Sequence, residues 1–96
     1  MPTHPGEVLK EELQVRNIPQ KRFAEIIGVS YTMLNEILNA KRPVTTDIAL
    51  YLEASIGISA ELLVNMQMRY NMQMARMDKK NVSRLEKIRS LCAGLL

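Results

Sequence analysis

Between Gln20 and Leu38 the apolar residues fall at Phe23, Ile27, Val29, Leu34 and Ile37, with the small Ala24 and Gly28 set among them. No other feature constrains the fold of this chain as strongly. Two short helices crossing at about 90–120° through a tight turn need a small side chain at their contact, a residue tolerant of positive φ in the turn, and apolar anchors beneath both. Ala24 and Gly28 meet the first two needs, and the apolar series meets the third. A plain helical hairpin inside a bundle could use the same anchors, but it would not need the polar residues that accompany them. Ser30, Tyr31, Thr32, Asn35 and Glu36 occupy the start and the outward side of the second helix, and all can hydrogen-bond base edges or phosphates.

The pattern is therefore that of a helix-turn-helix whose second helix enters a major groove. Gln20 and Lys21 stand at the start of the first helix and Asn39, Lys41 and Arg42 just past the second, places suited to phosphates on either side of the groove. Lys21 and Arg22 read equally well as solvated surface charge. Glu36 either accepts from a cytosine amino group or repels phosphates and so narrows the allowed docking.

Elsewhere the punctuation is Gly, Pro, Ser and Asn at positions 17–19, 28–30, 39–43 and 57–59, and the segments between carry helical rather than alternating spacing. An all-α chain of five or six helices follows. The first helix starts after His4, with Pro5 at its first position and Glu7 in its first turn, and ends near Arg16–Asn17. The next run from about Gln20 to Ile27, from Tyr31 to Asn39 behind a Ser30 cap, and from Thr46 to Ile56 behind Thr45. A fifth starts after Ser59 and reaches about Met77. A last one, with poor cap signals, spans about Val82 to Leu91.

At 96 residues the chain is the size of one domain, and its apolar content of 47%, with three Tyr, one Phe and no Trp, points to aliphatic and Met packing. Cys92 is the single cysteine, which excludes an internal disulfide and a cysteine-built zinc site; it reads as a small apolar side chain. The only histidine, His4, precedes Pro5 as an N-cap, and no residue cluster offers nucleophile or metal geometry, so catalysis, a cofactor and a metal are not expected. The chain lacks an apolar run of about 18 residues and opens without a basic-then-apolar leader pattern, which implies a cytoplasmic protein with no membrane partner.

The net charge of +3 is unevenly spread: residues 1–78 hold eight Lys/Arg against nine Asp/Glu, and residues 79–96 hold five against one. Basicity alone thus does not argue for DNA; the motif does. The basic end has Val82, Leu85, Ile88 and Leu91 spaced by three, with Lys79, Lys80, Arg84, Lys87 and Arg89 mostly elsewhere, and is expected to be a solvated face over a packed stripe. Binding of an acidic partner surface or of further phosphates is the alternative. The fifth helix has one stripe at Leu63, Met66, Tyr70, Met74 and Met77 and a second at Val64, Met68 and Met72. One stripe suits the chain's own core and the other, Val64, Met68 and Met72, a second subunit. An isologous dimer would present two recognition helices to a palindromic operator.

The opening His4-Pro5-Gly6-Glu7-Val8-Leu9, the Gln20–Gly28 stretch, Leu34 to Asn39, Lys41-Arg42-Pro43-Val44-Thr45, and Leu62-Leu63 with Gln67-Met68-Arg69-Tyr70 resemble the HigA/VapI-type antitoxins. These are a branch of the lambda-repressor-like (XRE) helix-turn-helix proteins, and the resemblance spans roughly residues 4–76. It implies a lambda-repressor-like DNA-binding domain with a C-terminal dimerisation helix, in a homodimer that represses its own operon. It also implies a cognate small basic toxin, RelE-like and mRNA-cleaving, that the protein neutralises. Two positions depart from the pattern: Ala40 stands where Gly is usual, and Pro19 where a Ser or Thr cap is common. If position 40 needs a left-handed backbone, Ala costs roughly 1 kcal/mol there, unless Asn39 adopts that conformation instead.

The expected organisation is a DNA-binding unit over 1–77, including the dimerisation helix, and a basic amphipathic extension over 78–96. Toxin masking would fall to the first helix and the basic end, because DNA and dimer contacts already occupy the third and fifth helices. A stand-alone dimeric regulator without a toxin, or an adaptor that kept the fold without binding DNA, fits the same residues.

Overall fold

Five of the six helices among the described residues begin where a polar side chain takes up a free backbone N–H. A computed structural model describes residues 2–95, so the outermost residues of the two expected segments, Met1 and Leu96, lie outside it. Among the described residues there are six helices and no strand: α1 (Pro5–Val15), α2 (Gln20–Ile27), α3 (Tyr31–Leu38), α4 (Thr46–Ile56), α5 (Ala60–Met77) and α6 (Lys79–Ala93). The Gly6 N–H donates to Nδ1 of His4 at 2.9 Å, the Met33 N–H to Oγ of Ser30 at 3.0 Å, and the Ile48 N–H to Oγ1 of Thr45 at 3.3 Å. Ser59 caps α5 in the same way. Pro19 makes no side-chain cap, so α2 starts on the fixed proline φ alone.

The helix ends also have physical causes. Gly28 and Gly57 close α2 and α4 at φ 74° and 77°. After α3 the left-handed residue is Ala40, at φ 60°, and not Asn39, which stays at φ −102°. The Lys41 N–H reaches the Glu36 carbonyl at 2.8 Å and the Ala40 N–H the Ile37 carbonyl at 3.1 Å. Those two bonds close a Schellman turn, and its geometry puts the positive φ one residue past the Asn.

The core is one cluster in which Leu9, Leu13, Phe23, Ala24, Leu34, Ile37, Leu52 and Leu63 are all buried, so α1 to α5 enclose a single apolar interior, aliphatic apart from Phe23. Gly6 lets the start of α1 lie directly on the end of α3: a Cβ there would overlap the Ile37 carbonyl. Helix α5 packs on α4 and α1 through Leu63, and its buried stripe includes the polar Gln67, which the apolar pattern passed over. Met74 and Met77, expected in that stripe, are 43% and 55% exposed because α5 has by then run past the end of the domain.

Helix α6 departs furthest from expectation. It begins at Lys79 and not near Val82, because Asp78 is an effective cap: its Oδ1 accepts from the N–H of Lys80 at 2.9 Å and of Asn81 at 3.3 Å. No residue of α6 is buried: Val82, Leu85, Ile88 and Leu91 are 38–66% exposed, so the expected stripe is not packed into the core, and the small Cys92 side chain is exposed. The radius of gyration is accordingly 17.3 Å, and the molecule measures 57 × 22 × 21 Å. A closed globule of this length would have about 13 Å.

Candidate nucleic-acid interface

The residues expected to face bases do lie together on α3. Leu34, Ile37 and Leu38 turn into the core, which leaves Ser30, Tyr31 and Thr32 on the outer side of the N-terminal turn, with Tyr31 51% exposed. The Ser30 hydroxyl is engaged as the helix cap, accepting the Met33 N–H. Asn35 and Glu36, one turn on, are half-buried. Helix α2 crosses behind through Phe23 and Ala24, and the absence of a larger side chain at Ala24 permits that close approach.

Hydrogen bonds tie the expected phosphate positions to this helix. Asn35 Nδ2 donates to Oε1 of Gln20 at 3.3 Å, and Asn39 Nδ2 donates to the Asn35 carbonyl at 2.8 Å. Gln20, Asn35 and Asn39 thus form one chain from the start of α2 to the end of α3. Glu36 pairs with Arg42 at 3.2 Å, both partly solvent-exposed. The pair contributes at most about 1 kcal/mol, but it holds the Arg42 guanidinium against the Glu36 carboxylate and offsets its charge. Lys21 and Lys41 are exposed on either side. Arg22 is paired with Glu25 on the α2 surface at 3.2 Å.

The segment carrying Lys41 and Arg42 is held from below. Gln67 of α5, 6% exposed, accepts the Val44 N–H on its Oε1 at 2.8 Å and donates from Nε2 to Oδ1 of Asn71 at 2.9 Å. His4 sits beside it, 1% exposed, with its ring edge-on to Tyr70 at a centroid distance of 4.9 Å and 83° between planes. Burial lowers the His4 pKa, opposed by the negative charge of Glu7 and by the Arg42 backbone. The neutral ring is the form the cap needs, because Nδ1 must accept. Sequence spacing identified His4 as a cap but gave no signal for Gln67, since a Gln in an apolar stripe is indistinguishable from an interruption until its partner is located.

Of the residues expected at a dimer contact, Val64 is half-buried against the core, whereas Met68 and Met72 are 56% and 47% exposed. They flank a shallow groove between α5 and the start of α4, floored by Val44, Thr46 and Gln67. No helix of the described residues is long and apolar enough to cross a membrane.

Comparison with known proteins accords with this geometry. A Helix-turn-helix family model (HTH_3) matches residues 9–63, from within α1 to the start of α5. The virulence-associated protein I of Dichelobacter nodosus is 37% identical over 81 residues, which cover 83% of this chain and 75% of that protein. The solved addiction module antidote protein of a HigA family from Coxiella burnetii is 34% identical, with a TM-score of 0.75 over 90% of this chain and 92% of its own. The antitoxin HigA of Pseudomonas aeruginosa, solved with the higBA promoter, is 30% identical, with a TM-score of 0.79 over 91% and 94%. With α2 and α3 crossing over Ala24, and with this similarity running through nearly the whole chain, the protein belongs to the helix-turn-helix family of DNA-binding proteins, in its HigA/VapI-type antitoxin branch.

Proposed function

We propose that this protein is the antitoxin of a type II toxin–antitoxin system that represses its own operon as a cytoplasmic homodimer and neutralises a small basic, RelE-like toxin. The observation that carries the DNA half is the outward N-terminal turn of α3, flanked by Lys21 on one side and Lys41–Arg42 on the other. In this reading Ser30, Tyr31, Thr32, Asn35 and Glu36 meet base edges. Gln20, Lys21, Asn39, Lys41 and Arg42 hold phosphates and set the register. Residues 1–77 act as the DNA-binding unit and 78–96 as an extension. Val64, Met68 and Met72 bring two copies together, so that twofold-related α3 helices reach half-sites about one helical turn apart. The action is binding, not catalysis.

The Glu36–Arg42 pair suits this role, because Arg42 can exchange Glu36 for a phosphate at small cost and leave Glu36 free to accept from a base. The test is co-expression of the tagged protein with the adjacent reading frame, followed by assay of the eluate on its own promoter. Recovery of a small basic partner together with promoter binding is the expected result. Promoter binding with no partner would reduce the reading to a solitary regulator, and a partner without promoter binding would remove the recognition role from α3.

A further inference from the structure

We propose that the basic face of α6 is a second DNA contact, made to the sugar–phosphate backbone outside the half-site that α3 reads. The inference rests on the DNA-binding reading above and adds to it a site on another element. Lys79, Lys80, Arg84 and Lys87 line one open groove on α6 together with Ser83. Two rows make that face: Lys80, Arg84 and Lys87 recur at intervals of four and three, and Lys79, Ser83 and Lys87 at intervals of four. All five are exposed, and none of the four cations pairs with a carboxylate among the described residues, whose three ion pairs lie elsewhere. Glu86, the one acid of α6, is turned about 100° round the helix from Lys87.

The chemistry of this face selects its ligand. A protein partner is gripped by aromatic or aliphatic anchors in a desolvated centre, with charge at the rim. Here no apolar side chain lines the groove, and Leu85, Ile88 and Cys92 are turned to the other side of the helix. Cations around a hydroxyl suit a chain of phosphates, because the affinity then comes from released counterions and needs no dry contact. The proposed toxin, being basic, would meet this face with like charge. The charge balance agrees. Residues 1–78 hold eight Lys/Arg against nine Asp/Glu and so bring little long-range attraction to DNA, whereas residues 79–96 hold five against one.

The path of α5 brings the arm within reach of the duplex. Gln67 accepts the Val44 N–H and Tyr70 packs edge-on to His4, so α5 passes beside the segment that carries Lys41 and Arg42. From Gln67 to Met77 is about 15 Å of helix, and Asp78 alone separates α5 from α6. The first cations therefore stand within roughly 22 Å of the Gln67 backbone, less than the ~34 Å of one turn of duplex. The joint is not a loose tether. Asn81 Nδ2 donates back to the Ala75 carbonyl at 2.9 Å, and the Asp78 carboxylate is taken up by the N–H groups of Lys80 and Asn81.

The test is fluorescence anisotropy on two promoter duplexes, one ending at the half-sites and one extended by about ten base pairs at each end. Each is titrated at several salt concentrations with the full chain, a Lys79→Gln/Lys80→Gln/Arg84→Gln/Lys87→Gln variant and Lys41→Ala. Gln is close to Lys and Arg in helix propensity and none of the four residues is in the core, so circular dichroism and thermal melting should be unchanged. With about two phosphates neutralised by each arm of a dimer, the wild type on the longer duplex should lose roughly 100-fold more affinity than the variant between about 50 and 200 mM salt, and the two should be alike on the short one. A change of flanking sequence should leave this difference in place, since phosphates carry no sequence. A wild-type slope that does not steepen with duplex length, or a variant weakened equally on both duplexes, would overturn the arm contact, while weaker binding by Lys41→Ala would keep the α3 reading. A wild type that binds neither duplex would remove the DNA-binding reading and the arm contact with it. A variant unchanged on DNA but no longer recovered with the co-expressed partner would overturn the proposal by assigning the face to a protein.

Discussion

A histidine that caps a helix from a buried position ties folding to proton concentration. His4 accepts the Gly6 N–H through Nδ1, and burial holds its pKa below the ordinary 6.5. Above 6.5 the ring is neutral in both folded and unfolded chains, so the cap's contribution is fully present. As pH falls below 6.5 the unfolded chain takes up a proton that the folded one resists, and stability drops until the lowered folded value is reached. Urea midpoints should therefore decline from about pH 7.5 to pH 5.5, and His4→Asn, which keeps a cap oxygen without a titrating ring, should flatten that decline; an equal slope in both proteins would remove His4 as its source. Ala40 offers the converse case. At φ 60° its Cβ is strained, so Ala40→Gly should raise stability by about 0.5–1 kcal/mol, read as a higher melting temperature with unchanged operator affinity.

Among the elements, α5 bears on both the core and the interface, and its Gln67 is where they meet. Gln67→Leu would leave the buried Val44 N–H without an acceptor, at a cost of about 1–3 kcal/mol. It should also loosen the segment bearing Lys41 and Arg42, weakening operator binding; a variant as unstable as expected but binding with wild-type affinity would show that the segment is held elsewhere. This residue also shows where sequence reading stops. The bounds of α1 to α5 were legible because caps and glycines act locally, and Ser30, Tyr31 and Thr32 were legible because their neighbours Leu34 and Ile37 fix the helix face. Gln67 was not, since its worth depends on a backbone N–H 23 positions away. The position of the left-handed residue after α3 depended on a hydrogen-bond pair, not on residue preference. The α6 stripe was legible as a stripe, but spacing alone does not say whether the surface that covers it belongs to the same chain.

For the whole molecule, charge is divided between a domain near neutrality and a basic arm, so binding to DNA depends on a few placed cations and not on the total. With about three to five phosphates neutralised per subunit, a dimer should show a log–log salt slope near −5 to −9. Lys41→Ala should flatten that slope by about one phosphate contact per subunit, weakening binding similarly on all sequences. Tyr31→Ala and Thr32→Ala should instead reduce the preference for operator over random DNA while leaving the slope in place. Titrations by fluorescence anisotropy at several salt concentrations separate the two outcomes, and a slope shallower than about −2 would count against the phosphate contacts altogether.

The elbow at Asp78 has a bearing on the protein's lifetime. With a single residue between α5 and α6 there is no extended stretch for a protease to grip, so cleavage there must wait for helical turns to unwind.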